Sequence, residues 1–252
     1  MALDFHGLDL QIQHHQAALE ALPDKFVEGR NLREGYLRGL GLQFGNLAQF
    51  CSKDPIFVEA YSKAKRFASP VGDLQLCNFY LLLKYFLPAG NIVEFGVDRG
   101  GSLLFLSHLA QEYRPGSLVY GFDSFEGMPA TSSNDVHKEG DFNGASETEI
   151  LSFLHEHHIV NVRLIKGFFS STLSYLKGLP SFSLAHIDCD LYQAVRDTYC
   201  EVRHHMVPQG YIVFDDAWAC SCIGAFDAVT EYVTGQDGKK AEQTWPHLVF
   251  RA

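Results

Sequence analysis

The chain has 252 residues, 46% of them hydrophobic, enough apolar material for one large core or two small ones. Twenty Lys and Arg stand against thirty Asp and Glu, a formal net charge of -10. No Lys/Arg cluster forms a phosphate-binding stripe, so nucleic acid is excluded as an expected partner.

No run reaches the roughly twenty apolar residues of a membrane-spanning helix. The opening MALDFHGLDLQIQHH lacks the basic-then-apolar order of a signal peptide. A soluble, cytoplasmic protein with no membrane partner is expected. Up to residue 90 the apolar spacing is helical, over LDLQIQHHQAALEAL, NLAQF, PIFVEAYSKAKRFA and LQLCNFYLLLKYFL, with breaks at Pro23, Pro55, Pro70 and Pro88. Residues 1–70 read as a helical extension or lid, and 71–252 as the main domain.

After residue 90 strands and helices alternate. NIVEFG, SLVYGFD, VRLIKG, FSLAHID and YIVFDD read as short buried strands. GSLLFLSHLAQEY, SETEILSFLHEHH, SSTLSYLKG, YQAVRDTYCEVRHHM and AFDAVTEYV read as the helices around them. The expected fold is α/β: a doubly wound, mostly parallel, Rossmann-like sheet with helices on both faces.

Such sheets bind ligands beyond the carboxyl ends of their strands. Those ends are Glu94-Phe95-Gly96, Asp123-Ser124, Gly167-Phe168, Asp188-Cys189-Asp190 and Asp215-Asp216. Any one acid there reads as a solvated turn residue. Acid at four of five ends on one rim does not.

The first strand-to-helix turn, EFGVDRGGS, carries glycines at 96, 100 and 101, which allow a sharp turn and a close ligand. Its pattern is E-x-G-x-x-x-G and not G-x-G-x-x-G, and Glu94 and Asp98 disfavour a pyrophosphate. A ligand with an amino or sulfonium cation is favoured. Asp123, ending the next strand, is placed to accept from a ribose diol, and together these features point to S-adenosylmethionine.

Asp188, Asp190, Asp215 and Asp216 end consecutive strands and converge if those strands are neighbours. Uncompensated, their like charges raise one another's pKa. Mg2+ or a similar divalent cation resolves the conflict. His186, two residues before Asp188, shares its strand face and reads as ligand, base or hydrogen-bonded core residue. The helical groups His14-His15, His155 to His158 and His204-His205 lack the HExxH spacing and read as surface. The six cysteines lack CxxC pairs and read as reduced thiols; Cys220-x-Cys222 is notable for following an acidic pair.

In order and separation, NIVEFGVDRGGS, VYGFDSFEGMP, LIKGFFSSTL, HIDCDLYQAVRDT and PQGYIVFDDAW resemble the macrocin O-methyltransferase family over roughly residues 70 to 235. Members are metal- and S-adenosylmethionine-dependent enzymes that methylate sugar hydroxyls of natural products. The resemblance implies that Glu94, Phe95, Gly96, Gly100 and Ser102 line the methionine end of the cofactor, that Asp123 and Ser124 hold the ribose, and that Gly167 and Phe168 lie near the adenine. It implies Asp188, Asp215 and Asp216 as metal ligands with Asp190 beside them, a final antiparallel strand pair from KKAEQTW and HLVFRA, and a homo-oligomer. Gln209-Gly210 and Ala217-Trp218 depart from the family pattern, outside the metal ligands.

Methyl transfer is an in-line displacement from a sulfonium, and a metal beside the acceptor oxygen lowers its pKa and fixes geometry. Asp188 or His186 would take the proton. The expected substrate is a small hydroxylated acceptor, a sugar or glycosylated natural product. A glycosyltransferase using Asp188-x-Asp190 with a nucleotide sugar would need diphosphate recognition from an acidic loop. A phosphohydrolase leaves Glu94 unexplained, and a cofactor-binding protein without catalysis leaves the carboxylates so.

Overall fold

The computed structural model describes residues 51–67, 70–218, 222–244 and 246–252. The helices expected over 8–22 and 46–50, and most of the 1–70 extension, lie outside the described residues. The first described helix, α1 (Pro55–Arg66), starts at Asp54, whose carboxylate accepts from the Ile56 amide at 2.9 Å, with Pro55 in the first turn. Phe57, Ala60 and Ala64 form its buried stripe. α2 (Asp73–Leu81) continues as one π-helical stretch, Leu82–Phe86.

Strand β1 (Asn91–Phe95) follows, then α3 (Gly101–Tyr113), β2 (Val119–Asp123), α4 (Glu147–Glu156) and β3 (Val162–Lys166). A short helix, α5 (Phe169–Thr172), runs into a 3-10 segment before β4 (Phe182–Ile187). α6 (Tyr192–Val202), β5 (Met206–Phe214), α7 (Ile223–Ala228) with its π-helical continuation Val229–Gln236, and β6 (Leu248–Arg251) complete the order. The sheet runs β3-β2-β1-β4-β5-β6, parallel except for β6 against β5. This is the mostly parallel sheet expected, and its order reverses between β1 and β4, the switch point where such sheets open a crevice.

Alternate strand residues feed two cores. Ile92, Leu184 and Val213 join Phe57 and Ala60 of α1, Leu76 of α2 and Leu103 to Leu106 of α3 on one face. Val93, Ala185 and Ile212 join Val195 and Tyr199 of α6 and Ala225 of α7 on the other. The described part of the expected extension therefore packs into the sheet domain. The expected strand over KKAEQTW is corrected: its described residues contribute one bridge, Gln243 to Val249, and HLVFRA pairs with β5. Lys239 is tied instead to the Arg251 carbonyl by its side chain at 2.9 Å. No described helix is long and apolar enough to cross a membrane.

Asp54 also clamps three elements, accepting from Tyr80 at 2.7 Å, Lys84 at 2.7 Å and Tyr113 at 2.6 Å. Burial works against its charge, but Lys84, Tyr113 and Tyr80 hold its carboxyl well below the usual carboxylate range. Asp54→Ala removes a cap and the shared acceptor of three donors, and is expected to lower the unfolding free energy by about 3 kcal/mol in urea. Because the folded-state pKa is the lower one, this contribution is present at neutral pH and is lost as the pH falls below about 4. A wild-type to Asp54→Ala difference that stays constant down through that range would contradict the assignment.

Candidate functional site

The carboxyl ends of β1 to β5 open into a cleft of about 730 Å³, within the range of small-molecule sites. On its β1–β3 side the glycine loop is pre-formed by Asp123. Oδ2 of Asp123 accepts from the Val97 amide at 2.7 Å and the Asp98 amide at 3.0 Å, and Oδ1 accepts from Phe125 at 2.7 Å. A carboxylate has about four acceptor sites, so three bonds leave capacity for one further donor. Ser124 accepts from the Glu126 amide and donates to the Gly127 carbonyl, which locks the turn after β2.

Gly96 has φ +89, and a Cβ built there would lie 1.7 Å from the Asp188 carbonyl oxygen. The absent side chain lets the β1 and β4 ends touch. Gly96, Asp98, Asp123, Ser124, Gly167 and Phe168 line the cleft; Glu94, Phe95, Gly100 and Ser102 do not. Gly100 turns the chain into α3 with φ +88 and faces Ile150. Phe95 and Ser102 are buried in the interior.

On the β4–β5 side, Asp188, Asp190, Asp215 and Asp216 line the same cleft. One carboxylate oxygen from each of Asp188, Asp215 and Asp216 lies within 4.8 Å of the other two. Burial and then repulsion from Asp215 and Asp216 push the Asp188 carboxyl well above its ordinary value. Burial and then Asp190 and Asp215 push Asp216 up to about 8. Three carboxylate oxygens this close, two of them on carboxyls whose charged form is disfavoured, could hold a hard divalent cation, which takes oxygen ligands.

Asp215 goes the other way. Burial raises it, but His186 and His247 more than offset that and hold it well below the usual range. His247 Nε2 stands 2.8 Å from Oδ1 of Asp215, and Asn78 Nδ2 stands 2.9 Å from His247 Nδ1. An amide donor on Nδ1 makes that nitrogen the acceptor and leaves the proton on Nε2, donated to Asp215. Burial lowers the pKa of His247, in keeping with a neutral ring.

His186, paired with Glu94 in the sheet register, has Nδ1 at 2.8 Å from Glu94 Oε1 and Nε2 at 3.8 Å from Asp215. Its burial favours the neutral ring, yet Asp215 and Glu94 push its pKa up to about 9. Both His186 and Glu94 are wholly buried, and Phe79 packs against the rings of His186 and His247. Asp215 is thus held by the hydrogen-bonded His247–Asn78 pair on one side and faces the Glu94-bonded His186 ring at ion-pair distance on the other.

Sequence reasoning missed His247 and Asn78. The signal lay in register: β6 pairs antiparallel with β5 with Leu248 opposite Phe214, so the preceding residue meets Asp215. It also missed His137 and Asp135, which the loop after β2 brings in. Asp135 accepts from the Tyr192 amide at 2.8 Å, tying that loop to the start of α6.

The profile of the Macrocin-O-methyltransferase (TylF) family matches residues 86–237. Over 156 residues the chain is 28% identical to 8-demethyl-8-(2,3-dimethoxy-alpha-L-rhamnosyl)-tetracenomycin-C 4'-O-methyltransferase of Streptomyces olivaceus, covering 57% of this chain and 58% of that protein. Over 155 residues it is 27% identical to demethyldecarbamoylnovobiocin O-methyltransferase of Streptomyces niveus, with the same coverage of each. The matched region thus spans less than two thirds of either relative. Among solved structures, the O-methyltransferase NovP superposes with a TM-score of 0.63 at 23% identity, covering 72% of this chain and 80% of that one, a likeness of fold.

Proposed function

This chain belongs to the macrocin O-methyltransferase family, and we propose that it transfers a methyl group from S-adenosylmethionine to a hydroxyl of a sugar or glycosylated small molecule, assisted by Mg2+ or a similar divalent cation. The observation that carries the reading is that one cleft joins the Asp123 glycine loop to the Asp188, Asp215 and Asp216 carboxylates. The two relatives above are named as O-methyltransferases, one of them for a rhamnosyl-bearing compound.

Gly96, Asp98, Asp123 and Ser124 would hold the methionine and ribose portions, with Gly167 and Phe168 at the adenine. Glu94, enclosed behind the site, would act through His186 and not by direct contact. Asp188, Asp215 and Asp216 would hold the cation. When bound, the cation would supply the Lewis acidity that eases loss of a hydroxyl proton, and S-adenosylmethionine the methyl group on a good leaving sulfur.

The chain's own work is positioning and proton transfer. Of the acceptors considered from sequence, Asp188 sits within the ligand set, and His186 has no surface on the cleft. Asp190 lines the cleft beside that set without being part of it, and we assign it the proton. His186 and His247 are then positioning residues that fix Asp215.

Calorimetric titration of S-adenosylmethionine and of Mg2+ tests the two halves separately. Asp123→Ala is expected to weaken S-adenosylmethionine binding about 10- to 100-fold, the loss of a charged hydrogen bond, and Asp188→Ala to remove Mg2+ binding with little effect on S-adenosylmethionine. Tight binding of a nucleotide sugar with metal, and none of S-adenosylmethionine, would overturn the reading.

A further inference from the structure

We propose that His137, Asp190 and Cys222 form a second metal site, selective for a thiophilic divalent cation such as Zn2+. They come from three separate segments: the loop between β2 and α4, the turn after β4, and the start of α7. One ligand atom from each lies within 4.8 Å of the others.

The separations decide whether the cluster is metal-sized. Cys222 Sγ stands 3.1 Å from Asp190 Oδ1 and 3.7 Å from His137 Nε2, and that nitrogen is 3.8 Å from the same Oδ1. Zinc bond lengths of about 2.3 Å to sulfur and about 2.0–2.2 Å to nitrogen and oxygen, at tetrahedral angles, give edges of about 3.3–3.7 Å. Each separation is therefore within roughly half an ångström of one face of a zinc tetrahedron.

A second observation concerns the histidine's other nitrogen. His137 Nδ1 faces Asp141 Oδ2 at 3.5 Å, the carboxylate–histidine pairing that fixes the tautomer and turns Nε2 toward a metal. Cys222 is nearly enclosed at 3% exposure, whereas the His137 and Asp190 side chains are 19% and 20% exposed. An ion can enter on their side, and the Cys222 thiol proton leaves to solvent as the sulfur–metal bond forms.

Donor chemistry separates this site from its neighbour. Three carboxylates suit Mg2+, while sulfur with imidazole suits zinc and cobalt. The two sites abut, since Asp216 Oδ1 is 3.7 Å from Cys222 Sγ. Occupancy would tie the loop carrying His137 to α7 and consume Asp190. On the methyltransferase reading, Zn2+ would then inhibit transfer; the existence of the site does not depend on that reading.

The test is a Co2+ titration of the full chain in excess Mg2+, followed by absorbance. One Co2+ per chain is expected, with a near-ultraviolet thiolate-to-cobalt charge-transfer band and intense visible bands of tetrahedral cobalt, both displaced by Zn2+. Cys222→Ser should abolish the charge-transfer band. His137→Ala, in a partly exposed loop, should weaken Co2+ at least about tenfold, and Asp215→Asn should retain the band. No thiolate band in the wild type, a band surviving Cys222→Ser, unchanged affinity in His137→Ala, or a band lost in Asp215→Asn would each overturn the site and leave a thiol–carboxylate hydrogen bond. The readout involves no methyl transfer, so its failure is separable from failure of the proposed function.

Discussion

Asp190→Asn is expected to lower kcat by about 10²- to 10⁴-fold, the usual contribution of a general base, with S-adenosylmethionine affinity unchanged. Asparagine keeps the volume and the ability to accept from Cys222, but it takes up no proton. The residue stands in a left-handed conformation at φ +57, and its amide is donated to Asp216 Oδ2 at 3.1 Å. Asparagine tolerates that conformation at least as well as aspartate does, so the fold should survive. The measurement is S-adenosylhomocysteine release with a sugar-bearing acceptor that the wild type turns over. A kcat within a factor of a few of wild type would remove Asp190 from the proton's path and return Asp188 to it.

Gly96→Ala should be more damaging to the protein than any single carboxylate loss. The new methyl would overlap a backbone carbonyl 1.7 Å away, and φ +89 is itself strained for alanine. Neither the end of β1 nor that of β4 can yield, because the Asp188 amide is bonded to the Phe95 carbonyl at 2.9 Å and the Gly96 amide to the Phe122 carbonyl at 2.9 Å. A loss of about 4 kcal/mol or more is expected, in the range reserved for severe core defects. It would be read as a large fall in urea midpoint, or as insoluble protein. A variant that unfolds like wild type would show that the two strand ends separate easily, which would also undo the argument for a pre-formed cleft.

The strands and most helices were legible because their signals are local. NIVEF and FSLAHI are short apolar runs bounded by turn residues, and the acids at their ends mark where each strand leaves the core. What stayed hidden depends on register or on loops. His247 reaches Asp215 only through the pairing of β6 with β5. His137 lies in a Gly-, Ser- and Asn-rich stretch without periodicity. Glu94 looked like a cofactor contact because it opens the glycine loop, yet its side chain turns to the opposite side of the strand from Phe95 and meets His186. The π-helical stretch at Leu82–Phe86 leaves no sequence mark, since LLKYF carries neither Gly nor Pro.

The long span of the Asn78–His247 contact bears on how the molecule folds. These residues are 169 positions apart, and Glu94 and His186 are 92 apart. Contacts that close such long stretches of chain are entropically costly and form after local structure is in place. A folding intermediate holding β1, β2 and β3 would therefore have a glycine loop but no buttressed carboxylate set. During synthesis, the ribosome must release residue 247 before Asp215 acquires its hydrogen bond to the His247 imidazole. On the proposed reading, cation affinity would thus be a property of the finished native state, and an ion that binds only there would shift the folding equilibrium toward it.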